Sequence, residues 1–128
     1  MAQDWAKVLK GRGYHRIITS DLGRAVKTGK IINTFLELPV SKMKCLREMD
    51  WGEWTGRVYK HIRKSTPEVM KKQLQSGWGF HPPGGESRRE VANRSVRGLE
   101  KATEKWPGRK ILVVTHEGVL LCLINYLL

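Results

Sequence analysis

The stretch Ile17-Ile18-Thr19-Ser20-Asp21-Leu22-Gly23-Arg24-Ala25 decides the fold. Its first three residues have the character of a short buried strand. From Leu22 onward apolar side chains recur at helical spacing, at Leu22, Ala25, Val26, Ile32 and Phe35. Ser20 or Asp21 suits the N-cap between the two elements. A strand feeding a capped helix is half of a βα unit. It sets Arg24 in the first helical turn, where backbone N–H groups and the helix dipole favour an anion. A guanidinium fork grips phosphate there with two bonds. The competing possibility is a surface arginine on a βα unit that binds nothing, and the segment alone favours it, because folds recur without their sites.

The far end of the chain shifts that balance. Ile111-Leu112-Val113-Val114-Thr115 is a continuous β-branched and leucine run, as expected for a parallel strand buried on both faces. It leads into His116-Glu117-Gly118 and then a second apolar segment. A histidine at the carboxyl end of such a strand stands where open α/β sheets bind ligands. A lone histidine there is more often structural. Two anion-compatible groups at two strand ends are harder to dismiss.

Between these ends helices and strands alternate. The pattern predicts a helix over Gln3 to Lys10, broken by Gly11-Arg12-Gly13. A strand over Arg16 to Thr19 and the Arg24 helix follow, ending near Leu38-Pro39. Met43 to Leu46 is the next expected strand. Trp51, Gly52, Trp54 and Gly56 belong to a loop. One or two helices run from Val58 to Gln75, with a capping box and a helix-starting proline at Ser65-Thr66-Pro67-Glu68. Gly77 to Gly85 is a Gly/Pro-rich loop. Ser87 and Glu90 form a second capping box, opening a helix to about Lys105. Pro107-Gly108 turns into the last strand.

The 128 residues fit a single domain, and 40% hydrophobic content is ordinary for one. The net charge of +12, from 24 Lys+Arg against 12 Asp+Glu, suits nucleic acid, an acidic membrane surface or an anionic substrate. The basic residues are scattered without a dense tail, so most are expected to be solvated surface. Cys45 and Cys122 have no metal-ligand spacing and are expected to be buried thiols, Cys45 in a strand and Cys122 in a helix. Two cysteines without a signal peptide fit a cytoplasmic protein. The apolar C-terminal stretch is shorter than the roughly twenty residues that cross a bilayer. No metal or organic cofactor is expected.

Four segments, in order, resemble the motifs of the histidine phosphatase superfamily, which includes phosphoglycerate mutases and many small phosphatases. They are Ser20-Asp21-Leu22-x-Arg24-Ala25; Leu46-Arg47-Glu48-x-x-Trp51-Gly52-x-Trp54-x-Gly56; Pro83-Gly84-Gly85-Glu86-Ser87; and Val113-Val114-Thr115-His116-x-Gly118. The resemblance runs from about Ile17 to the C-terminus. It implies a three-layer α/β/α sandwich with a mostly parallel sheet. Arg24, His116 and Ser20 would bind the phosphoryl group, and Glu48 would be the general acid. An acid in that role must keep a proton near neutrality, which an apolar or anion-rich pocket supplies. The competing role for Glu48 is a surface partner for a lysine. The tryptophans are expected to pack the loop, with some forming an apolar wall over the pocket.

The family's opening strand ends in Arg-His-Gly, whose histidine is the nucleophile. That tripeptide does not occur here, and His15, His61 and His81 hold the wrong places in the order. Thr55 stands where the family usually has a glutamate. The expectation is therefore a partial domain over residues 1–128, an incomplete phosphoglycerate mutase-like fold missing its first strand, and inactive or weakly active alone. A sheet edge left unpaired would be hidden by dimerising, exchanging elements or rearranging the ends; a monodisperse monomer with a fully paired sheet would count against this. Three functions remain: a phosphatase or mutase, a non-catalytic phosphate-binding relative, or, ranked last, a basic nucleic-acid module. The short stretch between Glu48 and Gly84 leaves little room for a substrate cap and favours phosphatase over mutase. The expected partner is phosphate or a phosphorylated small molecule.

Overall fold

Ile17, Ile18, Thr19 and Ser20 are all buried, and in the computed structural model, which describes residues 1–128, they belong to the central strand β1 (Arg16–Ser20). A parallel strand β2 (Val40–Met43) lies on one side of it, with Ile17 opposite Val40 and Ser20 opposite Met43. A parallel strand β3 (Ile111–Val114) lies on the other, with Arg16 opposite Ile111 and Thr19 opposite Val114. The order β2-β1-β3 makes β2 and β3 the two edges.

Helices cover both faces, giving the three layers expected. Helix α1 (Ala2–Leu9) packs on α2 (Gly23–Leu36), which lies against β1. Gly29 permits the approach: a β-carbon there would come within 2.6 Å of the Thr19 methyl. After β2 the chain enters a 3-10 turn at Lys44–Leu46 and another at Gly52–Trp54. Two short helices, α3 (Tyr59–Ser65) and α4 (Pro67–Gln75), follow, and then a 3-10 turn at Gly77–Gly79. The long helix α5 (Arg88–Lys105) covers the opposite sheet face, joining Ile18, Leu46 and Ala102 in one apolar cluster. Helix α6 (Glu117–Leu127) follows β3 and packs against α5, closing a larger core with Met49, Trp54, Phe80 and Val91. No helix is long and apolar enough to cross a membrane.

Several local expectations need correction. The expected strand at Met43–Leu46 is displaced toward the N-terminus, and Cys45 sits half-buried in the 3-10 turn that follows β2. Burial raises the pKa of both Cys45 and the buried Cys122. The Ser87 and Glu90 capping box is present, but Thr66 donates its hydroxyl to the Ile62 carbonyl and does not cap α4, leaving Pro67 as the start signal. β3 is half-buried along its length because it has a strand neighbour on one side only. Phe35, expected on the apolar stripe of α2, is 38% exposed; the buried stripe is Ala25, Gly29 and Ile32.

Candidate phosphate-binding site

Ser20 closes β1 and His116 follows β3, so two neighbouring parallel strands deliver both side chains to the carboxyl edge of the sheet. Ser20 does not cap α2. The N-cap is Leu22, whose N–H donates to Ser20 Oγ at 3.2 Å, while Asp21 turns outward to a bidentate pair with Arg47 at 2.7 and 2.8 Å. That hydrogen-bonded partner holds the Asp21 carboxyl below its usual pKa. The tight turn leaves Arg24 in the first turn of α2, leaning toward the neighbouring strand end.

His116 is engaged on both ring nitrogens. Arg24 Nε donates to Nδ1 at 3.3 Å, and Nε2 lies 2.8 Å from Ser20 Oγ. A guanidinium has only donors, so Nδ1 must accept. The imidazole is then neutral, with its proton on Nε2 and directed at Ser20. Its electrostatics agree. His116 is 5% exposed, and burial pushes its pKa below the usual 6.5; the charge of Arg24 acts the same way, against the opposing pull of Glu48.

Glu48 arrives from the turn after β2. One carboxylate oxygen accepts from the Met49 N–H at 2.8 Å, and the other from the Gly118 N–H at 3.4 Å. The carboxylate thus lies at the N-terminus of α6, where the helix dipole favours it. A side chain at Gly118 would crowd it, since a β-carbon there would stand 2.5 Å from Glu48 Oε1.

The loop that carries Glu48 is held by residues that the sequence did not single out for the site. Arg94 of α5 donates to both Glu86 oxygens at 2.7 and 2.9 Å, to the Cys45 carbonyl at 2.6 Å and to the Glu48 carbonyl at 3.2 Å. Glu86 in turn accepts from the Asp50 N–H at 2.9 Å, and its own N–H donates to the Asp50 carbonyl at 2.8 Å. Burial would raise the Glu86 pKa, but the Arg94 and Asp50 hydrogen bonds and the Arg94 charge hold it below the usual 4.5. Gly52 and Gly85 let the two loops cross, because a β-carbon at either would strike the other's backbone. One signal for Arg94 was visible: it lies three residues after Val91 and four before Gly98, both on the buried face of α5.

Arg24, Thr28, Glu48, Thr115 and His116 line a cavity of about 370 Å³. A second, of about 440 Å³, is walled by Leu22, Trp51, Trp54 and Tyr59 and again by Arg24 and Glu48. The structure therefore brings together Arg24, His116 and Ser20 by hydrogen bonds, with Glu48 beside Arg24 and His116 on one cavity wall; Ser20 is fully buried and lines neither cavity. The fold leaves the other histidines outside. His15 accepts from the Lys110 N–H at 2.9 Å at the amino end of the sheet, His61 is exposed on α3, and His81 Nε2 lies 2.7 Å from the Gly85 carbonyl. Trp51 and Trp54 pack edge-on against Phe80, with ring centroids 5.6 and 6.2 Å away, as loop-packing residues do.

A family model for the histidine phosphatase superfamily (branch 1) matches residues 1–128. The "Uncharacterized phosphatase PhoE" of Bacillus subtilis is 28% identical over 97% of this chain and 58% of its own length. The "Probable phosphoglycerate mutase GpmB" of Yersinia enterocolitica is 33% identical over 96% of this chain and 57% of its own. Among solved structures, the mycobacterial glucosyl-3-phosphoglycerate phosphatase Rv2419c in complex with inorganic phosphate has 32% identity and a TM-score of 0.77, covering 99% of this chain and 65% of that one. The chain spans less than two thirds of the length of each of these relatives.

Proposed function

We propose, on the premise that this chain belongs to the histidine phosphatase superfamily, that it supplies the phosphate clamp and the leaving-group acid of a phosphomonoesterase. The observation that carries this is the convergence of Arg24 and His116 at two adjacent strand ends, with Glu48 on the wall of the same cavity and Ser20 buried against the His116 ring. A phosphoryl transition state spreads negative charge over its equatorial oxygens. Arg24 offers donors that need only swing from His116 to meet it. His116, once Arg24 releases Nδ1, takes up a proton there and donates to the anion, while Ser20 holds the ring at Nε2. Glu48 protonates the oxygen that departs as its bond to phosphorus breaks.

In-line attack needs a free, neutral imidazole. In this arrangement both nitrogens of His116 are engaged, and no Arg-His-Gly occurs in the 128 residues. Within these residues the pocket binds phosphate and turns over little. Phosphatase is favoured over mutase by the short stretch between Glu48 and Gly84.

The test combines two assays on the full chain, with His116→Ala as control. Inorganic phosphate should raise the melting temperature, and a generic aryl phosphate should be hydrolysed slowly or not at all. A melting temperature indifferent to phosphate would overturn the clamp. Fast hydrolysis abolished in His116→Ala would overturn the low turnover and reveal a nucleophile within the chain.

A further inference from the structure

The two cavities described above are separated by shared walls. Arg24 and Glu48 line both, while His116 and Thr115 line only the smaller and Trp51, Trp54 and Tyr59 only the larger. Accepting the phosphate clamp, an ester held by Arg24 with its bridging oxygen at Glu48 must send its alcohol part into the larger space. The chemistry of that space then states which alcohol fits. Leu22, Met49, Trp54 and Ile62 give it an apolar lining, and the exposed Tyr59 stands at its mouth.

Polar groups make up the smaller part of its surface. The Asp50 carboxylate accepts from the Gly52 N–H at 2.8 Å, and Arg57 donates to Ser65 Oγ at 3.0 Å. Glu48 already accepts two backbone N–H groups. A polyhydroxylated alcohol would lose its hydration over that apolar surface, with the Thr55 hydroxyl, the second Asp50 oxygen and the remaining Arg57 N–H groups the return for part of its hydroxyls. An aromatic or aliphatic alcohol loses nothing of that kind and gains stacking against indole and phenol rings.

We infer that the larger cavity selects phosphomonoesters of apolar, particularly aromatic, alcohols over those of polyhydroxylated ones. Leu22, Trp54 and Tyr59 determine that specificity by contact with the leaving group.

Binding separates this inference from the function on which it rests. The full chain is titrated calorimetrically with inorganic phosphate, phenyl phosphate and glycerol phosphate, and the series is repeated with Tyr59→Ala. This residue is outside the phosphate clamp and exposed, so the fold should survive its loss. Phenyl phosphate should bind on the order of tenfold more tightly than the other two, the return for partly burying one ring. Tyr59→Ala should narrow that margin severalfold and leave inorganic phosphate affinity unchanged. Equal affinities for phenyl and glycerol phosphate, or tighter glycerol phosphate, would overturn the specificity while leaving the clamp intact. A margin untouched in Tyr59→Ala would overturn the part assigned to Tyr59 in that specificity. Failure of all three ligands to bind would overturn both proposals together.

Discussion

Replacing Arg94 by methionine should loosen the Glu48 loop more than any surface arginine substitution would. Arg94 makes four hydrogen bonds, two to Glu86 and two to backbone carbonyls of the Cys45–Glu48 turn. Methionine keeps the stem and removes all four. Glu86 would then keep only the Asp50 N–H, and the Cys45 carbonyl would lose the short 2.6 Å bond. Removing one partner of a fully buried pair costs about 3–5 kcal/mol. The Arg94 and Glu86 side chains retain 24% and 25% exposure, so water partly compensates. A loss of about 2 kcal/mol is expected, large against a stability of roughly 5–15 kcal/mol for a domain. Glu86→Gln keeps an acceptor for Asp50 and should cost about half as much, with a coupling of about 1 kcal/mol in the double-mutant cycle. The pH dependence carries a sign. Glu86 has a folded pKa below 4.5, so its contribution is present above pH 4.5 and is lost as pH falls through the lower folded value. The parent's advantage over Arg94→Met should therefore shrink in acid. Urea unfolding at pH 7 and at pH 4 measures both effects. A loss under about 0.5 kcal/mol, the level of an exposed ion pair, would refute the bracing role, as would a loss unaffected by Glu86→Gln.

Other outcomes follow from the same geometry. His116 has a folded pKa below 6.5, so the neutral ring favours the fold; its contribution is present above pH 6.5 and lost as pH falls toward the folded value. Melting temperatures across pH 5–8 should decline on the acid side, and the decline should flatten in His116→Gln; an identical profile in the variant would contradict the assignment. Gly118→Ala should drive the Glu48 carboxylate off the α6 N-terminus, given the 2.5 Å approach. It should lower stability by about 1 kcal/mol, the scale of a lost helix cap, and unchanged urea unfolding would show that Glu48 has another resting place. Gly29→Ala forces a methyl against Thr19 at 2.6 Å and should cost about 1–3 kcal/mol by overpacking; a neutral result in thermal unfolding would mean that α2 slides freely on β1.

The βα unit around Ser20 and the strand before His116 were legible because local patterns carry them: a buried run, a helical repeat and a short polar link. The capping box at Ser87 was legible for the same reason, as its partners lie three residues apart. What the sequence concealed depends on contacts between distant segments. Ser20 reads as a helix cap, yet its hydroxyl serves His116, 96 positions away. Asp21 is equally good cap chemistry, but Arg47 from the turn after β2 competes for it and wins with two bonds. β2 ends earlier than its apolar residues suggest because Lys44–Leu46 winds into a 3-10 turn that aims the Glu48 loop at the site. Arg94 escaped notice among many arginines, since only the helical face shared with Val91 and Gly98 distinguishes it. β3 has the composition of a strand buried on both faces, and its half-exposure reflects the edge position that no local pattern encodes.

The central claim is that Arg24 and His116, its ring held by Ser20, form a phosphate site. Ring ¹⁵N spectra of His116 during titration with inorganic phosphate test it most directly, in the parent chain and in Arg24→Ala. Arg24 leaves Nδ1 when it takes the anion, so the parent should show a saturable shift at Nδ1, and Arg24→Ala should show none. Resonances that ignore phosphate in the parent, or that shift equally in Arg24→Ala, would contradict it.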